Sequence, residues 1–250
     1  MSVYRMIFSP TGGTERAAEL LLRPWGTEAV LIDLTDAAAD YRQYHFGPED
    51  ICLAAVPSYG GRVPEIAVTR LAQMTGGGAR AMLLAVYGNR AYEDTLLELK
   101  DTLTAAGFRP IAAAAAVAEH SIMRQFGAGR PDAADERMLA GFGQRIKQVL
   151  DEDDAAELRV PGSKPYRDYG GVPFTPKAGK RCTTCGLCAA KCPVGDVYKR
   201  QVLEIGFAQG PAVRALLEDA GFAGVRVIKD WQGHDRVVIG QWLGSLECEQ

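Results

Sequence analysis

Two short stretches of this 250-residue chain carry residue types at spacings that can do chemistry. The first, Ser9-Pro10-Thr11-Gly12-Gly13-Thr14, combines three hydroxyls with two adjacent glycines. Consecutive backbone N–H groups at a helix start attract an anion, hydroxyls add donors, and glycine lets the backbone approach closely. The stretch reads as a phosphate cradle. It has neither a Gly-Lys-Ser/Thr ending nor a G-x-G-x-x-G, which excludes the two best-known nucleotide loops. In the second stretch Cys182, Cys185, Cys188 and Cys192, followed by Pro193, form a C-x2-C-x2-C-x3-C-P run. Four thiolates so spaced wrap a cubane iron–sulfur cluster, whereas zinc sites usually come as two separated C-x2-C pairs.

The elements that must position these groups follow from apolar patterning. Val3–Phe8, Ala29–Asp33, Asp50–Val56, Ala81–Tyr87 and Pro110–Val117 read as strands, the last weakened by its alanines. Helical stretches fall at Glu15–Arg23, Pro64–Met74, Ala91–Ala106 and Asp132–Leu150, the last with a stripe of Met138, Leu139, Phe142, Ile146 and Val149. Apolar strands alternating with helices predict an α/β fold, a doubly wound five-stranded parallel sheet of order 2-1-3-4-5. In such a sheet the winding reverses between strands one and three. The loops after Phe8 and Val56 are then neighbours, and a ligand sits between them.

The first loop matches Ser/Thr-x-Thr-Gly-x-Thr, and on it residues 1–150 resemble the flavodoxin family. The resemblance implies that Ser9, Thr11, Gly12, Gly13 and Thr14 hold the phosphate of FMN without a lysine. It places the flavin ring against Pro57-Ser58-Tyr59-Gly60-Gly61, where Tyr59 offers an aromatic face and Gly60-Gly61 a peptide that flips toward the reduced ring. The loop Tyr87-Gly88-Asn89-Arg90-Ala91-Tyr92 is the other expected ring contact, with Tyr87 or Tyr92 as a second stack. For each tyrosine, plain surface packing is the competing reading. His120, at the end of strand five, is more often a structural residue than a flavin contact.

Residues 151–180, acidic and then rich in proline and glycine, read as an extended linker. Residues 181–195 resemble half of a bacterial ferredoxin module. In two-cluster ferredoxins the first three cysteines of a run hold one cluster and the fourth holds the other. A second run is absent, and Cys248 is the only cysteine downstream. Flavodoxin, proline-rich linker and ferredoxin module in this order resemble the bacterial flavodoxin–ferredoxin fusion family, the ferrodoxins. That implies single-electron transfer through FMN and a 4Fe-4S centre to a partner redox protein.

Residues 196–201, Asp-Val-Tyr-Lys-Arg-Gln, resemble the in-frame translation of a transposon adapter used to prepare sequencing libraries. Beyond them Val202–Gly206, Val225–Ile228 and Arg236–Ile239 read as strands and Pro211–Ala220 as a helix. Residues 202–250 form a short α/β tail that resembles the C-terminal end of the release-factor glutamine methyltransferase. The cofactor loop and catalytic motif of that enzyme are missing, so no methyl transfer is expected. The chain reads as a chimera of two reading frames, with a genuine C-terminal domain as the alternative.

Composition bounds the remaining classes. The formal net charge of −3 gives no basic field for nucleic acid. No run of eighteen apolar residues spans a membrane, and the N-terminal residues lack a signal-peptide pattern, so a cytoplasmic electron carrier is expected. An FMN-dependent oxidoreductase acting directly on a small substrate is the alternative. It would use an acid such as Tyr92 or His120, but no nicotinamide-binding motif is visible.

Overall fold

The computed structural model describes residues 2–152, 157–170, 187–190, 192–193, 200–204, 208–230 and 233–242. It divides into two units, Met1–Pro173 and Phe174–Gln250.

In the first unit, strands β1 (Val3–Ile7), β2 (Val30–Asp33), β3 (Ile51–Pro57), β4 (Arg80–Tyr87) and β5 (Arg109–Val117) alternate with helices. The helices are α1 (Gly13–Leu22), α2 (Glu65–Leu71), α3 (Thr95–Ala105) and α4 (Ala133–Glu152). The strands pair in parallel in the order β2-β1-β3-β4-β5. This is the flavodoxin order.

The unbroken apolar runs of β3 and β4 have a direct physical reason. Side chains of a strand alternate between faces, and here both faces are covered. Cys52, Ala54 and Val56 of β3 and Ala81, Leu83 and Ala85 of β4 enter one core with Ala67 and Leu71 of α2 and Leu96, Leu99 and Leu103 of α3. The intervening Ile51, Leu53, Ala55, Met82, Leu84 and Val86 enter the other, with Leu20 and Leu21 of α1 and Leu139, Ile146 and Leu150 of α4. At the outer edge of β2, Val30 and Leu31 are exposed. The alanine run of β5 forms a full strand despite its weak preference, because Ala114 and Ala116 pack into the core that α4 closes.

Residues 157–170 belong to this first unit and lie along α3 as a strap. Leu158 and Val160 pack on the α2/α3 core, and Gly162 sits on Leu97 so closely that a Cβ would come within 2.5 Å of it. Lys100 pairs with Glu157 at 2.9 Å, Lys164 with Asp101 at 2.7 Å, and the Tyr166 hydroxyl also donates to Asp101. The stretch read from composition as linker is, over these residues, fastened to the domain.

In the second unit a short helix α5 (Leu187–Ala190) is followed by β6 (Arg200–Glu204), α6 (Gly210–Asp219), β7 (Phe222–Lys229) and β8 (Asp235–Trp242). The three strands form an antiparallel sheet of order β6-β8-β7. Among the described residues, Leu217, Val225 and Val238 form its core, with Val213, Phe222 and Val227 against them. Strand β6 starts at Arg200, inside the adapter-like hexapeptide, whose residues 196–199 lie outside the described residues. Among the described residues no helix is long and apolar enough to cross a membrane.

Candidate functional site

The loop after β1 enters α1 through Gly12, whose φ of +83° is a left-handed conformation that glycine adopts without strain. Ser9 Oγ accepts the Glu15 N–H at 3.0 Å, and the Gly12 N–H donates to the Ser9 carbonyl at 3.4 Å. The backbone N–H groups of Thr11, Gly13 and Thr14 make no hydrogen bond among the described residues. Three free donors at the start of a ten-residue helix form a positive cradle that a phosphate would satisfy. Gly13 lies against Ala118, just past β5, where a Cβ would already be at 3.4 Å.

The loop after β3 is a tight turn. Tyr59 and Arg62 exchange backbone hydrogen bonds at 2.9 and 3.1 Å, with Gly60 and Gly61 at its tip at φ +60° and +88°. Only glycine holds both positions without strain, as in the turns that close hairpins. The turn is tied down from α3. The Asp94 N–H donates to the Gly61 carbonyl at 2.9 Å, and Thr95 Oγ1 donates to Ser58 Oγ at 2.8 Å. Arg62 gives Nε and Nη2 to the two oxygens of Glu98 at 2.8 and 2.7 Å, and the Val63 N–H joins Glu98 Oε2 at 2.8 Å. Tyr59 remains partly exposed, and burial, reinforced by the Tyr169 phenol nearby, raises its pKa above the ordinary tyrosine value.

After β4, the rings of Tyr87 and Tyr92 meet edge to face at 5.3 Å. Each therefore already has an aromatic partner. Asn89 and Glu93 hold positive φ of 64° and 40°, and such backbone strain clusters at functional loops. Gly88 lies under His120, where a Cβ would come within 2.6 Å of the imidazole. His120 Nδ1 accepts the N–H groups of Ile122 at 3.2 Å and Met123 at 3.1 Å, so that nitrogen organises the turn after β5. Glu93 Oε1 binds Arg90 and Arg167 at 3.0 and 2.5 Å, while its Oε2 is buried with no donor among the described residues.

All four loops leave the carboxyl ends of parallel strands, and the reversal between β1 and β3 sets the Ser9–Thr14 loop beside the glycine turn. The structure thus gathers Ser9, Thr11, Gly12, Gly13 and Thr14 on one loop. It sets Pro57, Ser58, Tyr59, Gly60 and Gly61 on the next, tied to the third loop of Tyr87, Gly88, Asn89 and Tyr92 through the Ser58–Thr95 and Gly61–Asp94 bonds. Sequence reasoning missed Glu93, Asp94, Glu98 and Tyr169. Apart from the Arg90–Glu93 pair, their partners lie far along the chain and leave no local pattern.

No family model matches the chain. It is similar to the release factor glutamine methyltransferase of Pseudomonas aeruginosa, 36% identical over 89 residues that cover 33% of this chain and 32% of that protein. The enzyme of the same name from Neisseria gonorrhoeae is 46% identical over 46 residues, 18% of this chain and 17% of the other. The chain spans about a third or less of the length of these curated relatives. Among solved structures, a flavodoxin of Streptococcus pneumoniae TIGR4 is 19% identical, covering 59% of this chain and 99% of that one, with a TM-score of 0.43. The flavodiiron core of Flv1 from Synechocystis shares 15% identity over 62% of this chain and 37% of the other, with a TM-score of 0.42. The chain has two parts. A flavodoxin-like domain is joined to a segment matching release-factor glutamine methyltransferases.

Of the cysteine run, Cys182 and Cys185 lie outside the described residues. Cys188, on α5, is exposed and Cys192 half-buried, both as free thiols. Among the described residues no group of three or more His, Cys, Asp or Glu side chains forms a metal site. Cys52 is no substitute ligand: it sits in the α2/α3 core, where burial, helped by Asp50, pushes its pKa up to about 12.

Proposed function

We propose that this chain binds FMN at the carboxyl end of its parallel sheet and passes electrons to a partner redox protein. The observation that carries the reading is the set of unpartnered N–H groups at Thr11, Gly13 and Thr14, behind a glycine at φ +83°. Ser9, Thr11 and Thr14 add hydroxyls to that cradle. At the ring end, the glycine turn and Tyr59 offer a flat face and backbone groups, and Glu93 Oε2 is an acceptor without a donor among the described residues. These features fit a ligand with an anion at one end and a planar ring with N–H edges at the other. Flavin chemistry, the uptake and release of electrons one or two at a time, comes with the cofactor. The chain supplies binding, orientation and the environment of the ring.

A 4Fe-4S centre fits less well. The run gives three thiolates to one cubane and one to another, and no second run completes either. The absorption spectrum of the purified full chain, with iron and sulfide analysis, tests both parts. Flavin bands with far less iron than one complete cubane are expected. Two full cubanes per chain, the load of a complete module, would contradict the ligand count.

Methyl transfer is not part of the proposal, because the match covers only about a third of that enzyme's length. Residues 202–250 are read as a segment joined through the adapter-like Asp196–Gln201. Sequencing source genomic DNA across codons 190–205 is expected to show the two halves apart. Uninterrupted native coding sequence through the hexapeptide would refute the junction.

A further inference from the structure

The two spaces that a Cβ would fill at Gly60 and Gly61 are occupied by other side chains. At Gly60 the ring of Tyr169 lies against the α-carbon, and a Cβ would come to 2.1 Å from its Cδ2. At Gly61 the Glu93 carboxylate takes the place, with Oε2 at 2.0 Å from the position of a Cβ. Tyr169 reaches Gly60 because the strap is held at several points. Both oxygens of Asp94 accept strap backbone, Ser163 N–H at 2.8 Å and Arg167 N–H at 2.6 Å. The Arg167 carbonyl accepts Arg62 Nη1 at 2.7 Å, and the Arg62 guanidinium lies 5.0 Å from the centre of the Tyr166 ring. Asp94 stands at the N-terminus of α3, yet its side chain caps no helical N–H. The Arg167 and Ser163 N–H groups instead hold its carboxyl below the usual aspartate range, so the attachment persists down through weakly acidic pH.

We propose that the strap is part of the flavin site: Tyr169 fixes the Gly60–Gly61 turn in the conformation that receives the ring. It is a positioning residue, and the inference rests on the FMN reading above. A two-glycine turn has many backbone states, and a ligand that must select one binds more weakly than a ligand meeting it already set. Tyr169 on one glycine and Glu93 on the next remove that freedom before the ring arrives. The strap thereby governs both ring affinity and the potential of the bound flavin, since that potential depends on the backbone groups presented to the ring.

The test titrates the full chain with FMN and with riboflavin, and measures the midpoint potential of bound FMN. Tyr169→Ala is expected to weaken both ligands alike, by about tenfold, because the lost contact acts at the ring end and not on the phosphate. Its potential shifts as well. Tyr169→Phe keeps the ring-on-backbone contact and restores wild-type values. The double variant Lys164→Ala/Tyr166→Phe frees the strap at Asp101 without altering Tyr169. It is expected to weaken both ligands by roughly threefold, and it carries the test should Tyr169→Ala fail to fold. Wild-type protein that binds FMN, with unchanged affinity and potential in the strap variants, overturns the strap proposal alone. Tighter binding in Tyr169→Ala also overturns it, since Tyr169 would then be standing in the ring's place. Wild-type protein that binds neither ligand overturns the FMN reading, and the strap proposal with it.

Discussion

Replacing Gly12 with aspartate is expected to weaken FMN binding about a hundredfold, or ~2.8 kcal/mol, while riboflavin affinity stays within about threefold. The position separates charge from sterics. A Cβ at Gly12 meets nothing within 4 Å, so the new side chain has room. The left-handed φ of +83° strains most residues, but aspartate is among the few that visit that region routinely. Its carboxylate then stands at the start of α1, beside the free N–H groups of Thr11, Gly13 and Thr14. There it is stabilised by the same donors and helix dipole that would hold a phosphate, and it repels a second anion. Riboflavin has the same ring and no phosphate, so it reports the ring end alone. Paired fluorescence titrations of the variant decide the matter. Equal losses for both ligands would mean that the loop had collapsed. No loss for FMN would show that the phosphate does not sit there.

Much of this domain is legible in the sequence because its central strands are buried on both faces. Ile51–Val56 and Ala81–Val86 are continuous apolar runs for that reason, and the reversal of winding beside β1 follows from their alternation with helices. The stripe on α4 was visible too, though its centre is Leu139, Ile146 and Leu150, while Met138 and Val149 lie at its exposed margins. The glycine turn and the phosphate loop announce themselves by content, since positive φ and free N–H groups require particular residues.

Other features have no local signature. Helical patterning alone starts α3 at Ala91, whereas the helix starts at Thr95. Glu93 is held at positive φ and Asp94 is engaged by the strap, and both contacts come from residues about seventy positions later. Proline and glycine between 161 and 176 suggest a free linker, but the strap is secured by side chains of α3 that composition cannot report. His120 invites an acid–base reading on residue type, with a structural role the more frequent one for a lone histidine at a strand end. Its Nδ1 receives two backbone N–H groups of its own turn, a role whose partners are visible only once the chain has bent back.

Glu98→Ala is expected to destabilise the domain by about 3 kcal/mol, because one nearly buried carboxylate ties α3 to the loop after β3 through three hydrogen bonds. Its oxygens accept both Nε and Nη2 of Arg62 and the backbone N–H of Val63, and only 10% of its side chain is exposed. Truncation leaves the Val63 N–H without an acceptor in a buried position and half of the Arg62 guanidinium unmatched. The remaining Arg62 bond, to the Arg167 carbonyl, cannot take over, since it engages a different nitrogen. Arg62 is itself 26% exposed, which lets water recover part of the loss and keeps the cost below that of a fully buried pair. Glu98→Gln should cost about half as much, as it retains an acceptor for Val63 but not the charge for Arg62. By contrast, Arg42→Ala removes an ion pair whose members are mostly exposed and screened by water, and is expected to leave the unfolding midpoint essentially unchanged. Urea unfolding of the three variants gives the comparison directly. If Glu98→Ala proved no more damaging than Arg42→Ala, the tie between α3 and the loop after β3 would not be what holds the glycine turn in place.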